Sequence, residues 1–240
     1  MLVNDLLAKV CFTGVKILDI GGNKGQSIDK FLHINPNCYI HCYEPNKQLY
    51  SHLSTQYSQN INVLIKNFAV LGNSADFVIE NEKVRLHICT KNSTISTIST
   101  DFISKTINNA YFNKFTYDTH YMTAYKSIKD VLSLKCDIIK IDTEGCEVNI
   151  LKSMISADVL AVDLPNTYIF EYTSELKYDY IMLVDEYIRY YNKHNKSLLF
   201  YFNNPENDLL SPCIKGFNMI DWIKNTPNDN FWGDIYMLVV

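Results

Sequence analysis

Three groups of residues in this 240-residue chain have types and spacings that could do chemistry. The first is Asp19-Ile20-Gly21-Gly22-Asn23-Lys24-Gly25, which follows the apolar pair Ile17-Leu18 and precedes a helix-like segment, Gln26 to His33. A strand that turns at once into a helix needs glycine where φ is positive or where a ligand presses on the backbone. The second is Glu44, which closes the strand-like stretch Tyr39-Ile40-His41-Cys42-Tyr43 and is followed by Pro45. It stands about 20 residues beyond the glycine loop, the separation expected of a carboxylate that accepts both hydroxyls of a ribose. The third is Asp142-Thr143-Glu144-Gly145-Cys146-Glu147, behind the strand-like run Asp137-Ile138-Ile139-Lys140-Ile141. A charge at the carboxyl end of a strand is costly unless it has a partner, which points Asp142 towards function. Acidic groups at the start of a helix are favoured by its exposed amides, by ~0.3–1 kcal/mol, and that suffices for Glu147. Three neighbouring carboxylates could also hold a divalent cation through oxygen ligands, although nothing in the sequence fixes a ligand count.

These residues need a scaffold that brings strand ends together. After the first strand and helix comes a short helix over Asn46 to Tyr57, then a third strand, Ile61-Asn62-Val63-Leu64-Ile65. Asp76 to Glu80 and Val84 to Ile88 read as a hairpin around Asn81-Glu82-Lys83. A Ser/Thr-rich stretch, Asn92 to Thr100, leads into an aromatic-rich segment carrying Phe102, Tyr111, Phe112, Phe115, Tyr117, Tyr121 and Tyr125. Helices are expected near Ile128 to Leu134, from about Gly145 to Met154, and from Tyr180 to Asn195. Tyr168-Ile169-Phe170 is a strand ending in Glu171, and Leu198 to Phe202 and Ile235 to Val239 are the last two, forming an antiparallel edge. Alternating strands and helices predict one α/β domain over residues 1–240, with the glycine loop at the carboxyl end of its first strand.

The totals narrow the function. Hydrophobic residues make up 47% and charged residues 20%, which suits a globular chain with a substantial core. A formal charge of -4 with no basic run gives nucleic acid no electrostatic footprint. No apolar run reaches bilayer length, and the N-terminus does not read as a signal peptide. The seven cysteines are scattered without a Cys-x-x-Cys pattern, which predicts free thiols in a reducing, cytoplasmic setting. A dinucleotide fingerprint starting at Gly21 would need glycine at positions 23 and 26, where the chain has Asn23 and Gln26.

The spacing Asp19-x-Gly21-x-x-x-Gly25 resembles instead the loop with which class I methyltransferases bind S-adenosylmethionine. Ile17 to Gly25, Tyr43-Glu44-Pro45-Asn46, Asn67-Phe68-Ala69-Val70 with Gly72, and Ile139 to Glu147 followed by Leu151-Lys152 occur in that order. Together they resemble the FkbM-type family of S-adenosylmethionine-dependent methyltransferases, over roughly residues 15 to 172. The Lys-Ile-Asp-x-Glu-Gly-x-Glu block is the more specific part, and Glu171 stands at the place of a late-strand acid of the family. Two departures stand out: an aromatic-rich insertion at about 101–124, read as a substrate lid, and a tail beyond 172 that matches only as generic strand and helix.

The resemblance implies a Rossmann-like α/β fold: a mostly parallel seven-stranded sheet, helices on both faces and an antiparallel edge strand. It implies a cofactor site of Asp19, Gly21, Gly22, Asn23, Gly25, Glu44, Pro45, Asn67, Phe68, Ala69 and Asp142. Asn67 would meet an adenine edge, and Phe68 or Ala69 its face. The implied activity is O-methylation of a saccharide, a nucleotide-linked saccharide or a related small-molecule precursor of a cell-surface glycan. Asp142 is the first candidate to orient or deprotonate the acceptor, with Glu144, Glu171 and His120 behind it, and no residue is assigned to a metal. A histidine, with its ordinary pKa near ~6.5, suits a base at neutral pH. Competing classes are a cofactor-binding scaffold without turnover and a methyltransferase of nucleic acid or protein.

Overall fold

The computed structural model describes residues 1–73, 77–89, 96–106, 119–156, 164–204, 209–228 and 231–240. The chain opens with α1 (Val3–Val10), then alternates β1 (Lys16–Ile20), α2 (Gln26–Ile34), β2 (Tyr39–Tyr43), α3 (Lys47–Gln56) and β3 (Val63–Lys66). Short strands follow: β4 (Ala69–Leu71), β5 (Ile79–Glu80), β6 (Lys83–Ile88) and β7 (Ser96–Thr97), then α4 (Thr100–Thr106) and β8 (Thr119–Ser127). Alternation resumes with α5 (Ile128–Leu132), β9 (Ile138–Ile141), α6 (Glu147–Ser156), β10 (Thr167–Thr173) and α7 (Lys177–Lys193). The chain finishes with β11 (Leu198–Asn203), β12 (Ile214–Lys215), α8 (Asn218–Asn225) and β13 (Trp232–Val239).

The main sheet has eight strands in the order β12-β11-β13-β10-β9-β1-β2-β3. From β10 to β3 neighbours pair in parallel, whereas β13 runs antiparallel to both β10 and β11. Strand order reverses at β1: β2 and β3 lie on one side of it, β9 and β10 on the other. The crevice at such a switch point is where open α/β sheets bind ligands. The register Ile20↔Ile141 brings the ends of β1 and β9 level there, and the Asp142 N–H donates to Ile20 O at 2.9 Å.

Side chains of β1 alternate between two cores. Leu18 and Ile20 join the layer formed by α5, α6, α7 and α8, with Ile150, Leu151, Tyr187 and Ile223 buried in it. Ile17 joins Leu6, Leu7, Ile28, Phe31 and Leu53 of α1, α2 and α3 on the opposite face. Full burial of one such aliphatic side chain contributes about 1.5–3 kcal/mol, so both faces anchor β1 and the loop that leaves it. The first turn of α3 is closed by Asn46, whose Oδ1 accepts from the N–H groups of Gln48 (3.0 Å) and Leu49 (3.5 Å).

Two features correct the expected architecture. The sheet has eight strands rather than seven, and the long antiparallel strand is interior, not an edge. β13 lies between β10 and β11, and its Ile235, Tyr236 and Met237 are buried on successive, opposite faces, as an interior strand requires. The edge on that side is β12, of two residues. A second sheet, β4-β8-β6-β5 with β7 on β6, was not anticipated, although the hairpin of β5 and β6 was. The aromatic-rich insertion contributes α4 and β8 at its two ends; its middle, including Tyr111, Phe112, Phe115 and Tyr117, lies outside the described residues. β8 pairs with β4 and β6 instead of standing apart.

Candidate functional site

The glycine turn is built by close approach. Gly21 has φ +89, and a Cβ there would lie 1.7 Å from the carbonyl oxygen of Asp142. A Cβ on Gly22 would lie 2.2 Å from Cys42 Sγ. The loop is therefore pressed between β9 and β2, and its amides run back to β2: Gly21 N–H donates to Tyr43 O at 2.9 Å and Gly22 N–H to the same oxygen at 3.3 Å. Gly25 starts α2, with the Tyr57 hydroxyl 3.1 Å from its carbonyl and 2.7 Å from Asp29 Oδ1. Asn23, at φ +50, donates its N–H to Glu44 Oε2 at 2.8 Å, which joins the loop to the end of β2.

Glu44 is 4% exposed. Its Oε1 accepts from Asn46 N–H at 2.7 Å, so each carboxylate oxygen carries one backbone donor and keeps a second lone pair. Two spare acceptor positions on one fixed carboxylate match two neighbouring hydroxyls. Burial pushes the Glu44 carboxyl up to about 7, against the pull of the Asn46 and Asn23 N–H groups. Glu44, Pro45, Tyr43 and Leu49 line one wall of a cleft completed by Ile20, Gly21, Asn23, Phe68, Ala69, Asp142 and Glu144. Asn67, expected at an adenine edge, directs its amide donors to the protein: Nδ2 donates to the carbonyls of Glu44 (2.8 Å) and Pro45 (3.0 Å) and braces the turn.

Lys140 joins the two acidic ends. Its Nζ donates to Gly21 O and to Asp142 Oδ2, each at 3.0 Å, and stands 3.6 Å from Asp19 Oδ1. Burial pulls this ammonium down, but the carboxylates of Asp142 and Asp19 outweigh it and hold the lysine charged above its ordinary range. Asp19 is fully buried; Ser27 Oγ donates to its Oδ2 at 2.6 Å, while its Oδ1 has only the longer approach of Lys140. Asp19 therefore supports the loop from inside. Beyond Asn23 and Asp142 the cleft continues into a second hollow lined by Gln26, Ser27, Lys30, Lys140 and Asp234. Burial, followed by the charge of Asp142, raises Asp234 to about 6.

Across the cleft, Asp142, Glu144 and Glu171 each bring a carboxylate oxygen within 4.8 Å of the other two. Among the described residues no donor reaches the Glu144 or Glu171 carboxylate. Burial first, then Asp142 beside Glu144 and Glu144 beside Glu171, push both well above the usual carboxylate range. A carboxyl raised in this way holds its proton more tightly than an ordinary one and, once ionised, is a stronger base. Glu147 has a different job. Its Oε1 accepts from Thr143 N–H (2.6 Å) and Thr143 Oγ1 (2.8 Å), and its Oε2 from Gly145 N–H (2.9 Å). It pins both sides of Glu144, which sits at φ +56. The helix-terminus explanation for Glu147 thus takes the form of a template for that turn.

The structure brings Gly21, Asn23, Glu44, Pro45, Phe68, Ala69, Asp142 and Glu144 to one cleft, with Asp19, Gly22 and Gly25 shaping the loop behind it. Glu171 approaches from β10. His120 is on β8, paired in register with His87 of β6, a position in the second sheet. Sequence reasoning missed Lys140, Asp234 and Tyr121. For Lys140 the signal was present: it stands two residues before Asp142 and pairs with Asp19 across β1.

Comparison with known proteins adds the family. The sequence matches the family described as the methyltransferase FkbM domain over residues 19–198. No curated protein matches it. Among solved structures, the fold is similar to the plantazolicin methyltransferase BpumL in complex with SAH, at 11% identity and TM-score 0.44, covering 98% of this chain and 81% of that one. It is similar to an rRNA methylase from Streptococcus thermophilus at 8% identity and TM-score 0.46, covering 98% and 92%. It is similar to precorrin-6y C5,15-methyltransferase from Geobacter metallireducens at 9% identity and TM-score 0.39, covering 98% and 86%. These likenesses are too distant to carry a functional argument, whereas the family match spans most of the chain and includes the glycine turn, Glu44 and the acidic cluster: the chain belongs to the FkbM methyltransferase domain family.

Proposed function

We propose that the chain, as a single domain, is an S-adenosylmethionine-dependent O-methyltransferase whose acceptor is a saccharide, a nucleotide-linked saccharide or a related small-molecule precursor of a cell-surface glycan. The observation that carries this is Glu44: a buried carboxylate at the end of β2, aimed by Asn23 and Asn46, beside a glycine turn too tight for any side chain. These residues fit the donor. Glu44 would hold the ribose, Phe68 and Ala69 would face the adenine, and the hollow of Lys30, Lys140 and Asp234 would take the amino-acid end. Bound there, the donor supplies an electrophilic methyl group on a sulfonium.

The chain's own part is to bring an acceptor oxygen into line and take its proton. Asp142, with Oδ2 fixed by Lys140, orients the acceptor hydroxyl. Glu144 or Glu171, in its ionised form, receives the proton as the oxygen–methyl bond forms; burial and the neighbouring carboxylates make each a stronger base than an ordinary carboxylate. Alignment alone supplies much of the rate in such a displacement. His120, on β8, remains a further candidate base. The preference for a hydroxylated acceptor rests on the carboxylate-lined wall and on the family. No helix among the described residues is long and apolar enough to cross a membrane, and the seven free cysteines suit a reducing cytoplasm. The test is transfer of radiolabelled methyl from S-adenosylmethionine into a panel of free and nucleotide-linked saccharides. Label in an acceptor, lost in Asp142→Asn, supports the proposal. Label that goes only into RNA or protein would overturn it.

A further inference from the structure

Two of the side chains that hold the Glu44 turn come from the second sheet. Tyr121, on β8, places its hydroxyl between the two residues that flank Asn46. It donates to Pro45 O at 3.1 Å and accepts from Lys47 N–H at 2.6 Å. One hydroxyl has one proton to give and lone pairs to receive, so both bonds form at once. Thr123, two residues along β8 and on the same face, adds its Oγ1 at 3.3 Å from the same Pro45 oxygen. Asn46 is thereby bracketed, and its N–H is the group that fixes Glu44 Oε1 at 2.7 Å. Asn67 holds the turn from β3's end through the Glu44 and Pro45 carbonyls, but among the bonds of the described residues Tyr121 is the one that spans Asn46 on both sides.

We propose that Tyr121 is a positioning residue for cofactor binding, acting through Asn46 on the Glu44 carboxylate. This rests on the cofactor reading of the cleft. The second sheet then has a role in the site: it carries the brace that keeps both Glu44 oxygens aimed where ribose hydroxyls are received. Tyr121 itself touches no cofactor in this account. Its neighbour Tyr125, on the same strand, pairs with Ala69 of β4 and makes no bond to the turn among the described residues.

The experiment is a double-mutant cycle read by calorimetric titration with S-adenosylhomocysteine, using Tyr121→Phe, Glu44→Gln and the double variant. Losing one bracketing hydroxyl should raise Kd about three- to ten-fold in the Glu44 background. In the Glu44→Gln background the same change should raise it by less than about two-fold, because the group it positions is gone. Tyr125→Phe should leave Kd at the wild-type value. An equal effect of Tyr121→Phe in both backgrounds would show a general structural role and overturn the proposal, as would no effect in either. Thr123→Val, which removes a second donor to Pro45 O, repeats the cycle should Tyr121→Phe fold poorly. A wild type that binds no S-adenosylhomocysteine would instead overturn the cofactor reading itself.

Discussion

Acidification should weaken cofactor binding, because a proton and the ribose compete for Glu44. Burial raises this carboxyl to about 7 in the empty site. A carboxylate that must accept two hydroxyls has to be ionised, so the affinity scales with the ionised fraction. The sign follows: the empty site holds its proton below about 7, binding expels it, and affinity rises with pH until the site is already ionised. From pH 8 to pH 6 the ionised fraction falls from roughly nine-tenths to one-tenth, so Kd should rise about ten-fold, or about 1.4 kcal/mol. Calorimetric titration with S-adenosylhomocysteine at pH 6, 7 and 8, in buffers of different ionisation enthalpy, reads both Kd and the protons released. About one proton should leave on binding at pH 6 and almost none at pH 8, and Glu44→Gln should abolish the difference while weakening binding at pH 8 about ten- to hundred-fold. A flat Kd over this range, or tighter binding at pH 6, would refute the ribose role of Glu44.

The same burial predicts a stability trend of the empty protein. Glu44, Glu144 and Glu171 are all held above their ordinary range, so the folded state binds protons that the unfolded state releases. Stability should fall as pH rises from about 4.5 towards 7, and a urea midpoint that is higher at pH 8 than at pH 5.5 would contradict this. Gly21→Ala would place a Cβ 1.7 Å from the Asp142 carbonyl at a positive φ; a loss of about 2 kcal/mol or more is expected, read as a lower Tm together with lost cofactor binding. Asp142→Asn should lower turnover about 100-fold or more while changing S-adenosylhomocysteine affinity by less than about three-fold; equal turnover would end its acceptor role. Glu147→Gln cannot accept from both Thr143 and Gly145, and should cost about 1–3 kcal/mol in urea unfolding with an unchanged slope.

Much of the cleft was legible because its geometry is local. Gly21 and Glu44 are marked by strand ends, turn residues and a separation, all of which a linear reading captures. The acidic cluster was visible as Asp142-x-Glu144, but its third member, Glu171, entered through a family resemblance rather than through any local signal. The bonds of Asn67 to the turn were not legible, because its position beside Phe68 gives no hint that its amide donors turn back towards the end of β2. Tyr121 was counted among aromatic residues of an insertion, since the pairing of β8 with β6 spans more than thirty residues and leaves no periodic mark near Glu44. The interior place of β13 was missed for a related reason: its burial on both faces shows only when its two neighbours are known. Lys140 was overlooked although the alternation of β9 puts it on the side of Asp19 and Asp142.

The central claim is that the switch-point cleft binds S-adenosylmethionine. Calorimetric titration of the purified protein at pH 8 with S-adenosylmethionine and S-adenosylhomocysteine, with NAD as control, tests it most directly. Micromolar binding of both sulfur ligands, no heat with NAD, and loss of binding in a Glu44→Ala variant that still folds are predicted. Absence of binding by either sulfur ligand, or equal binding by Glu44→Ala, would contradict the account.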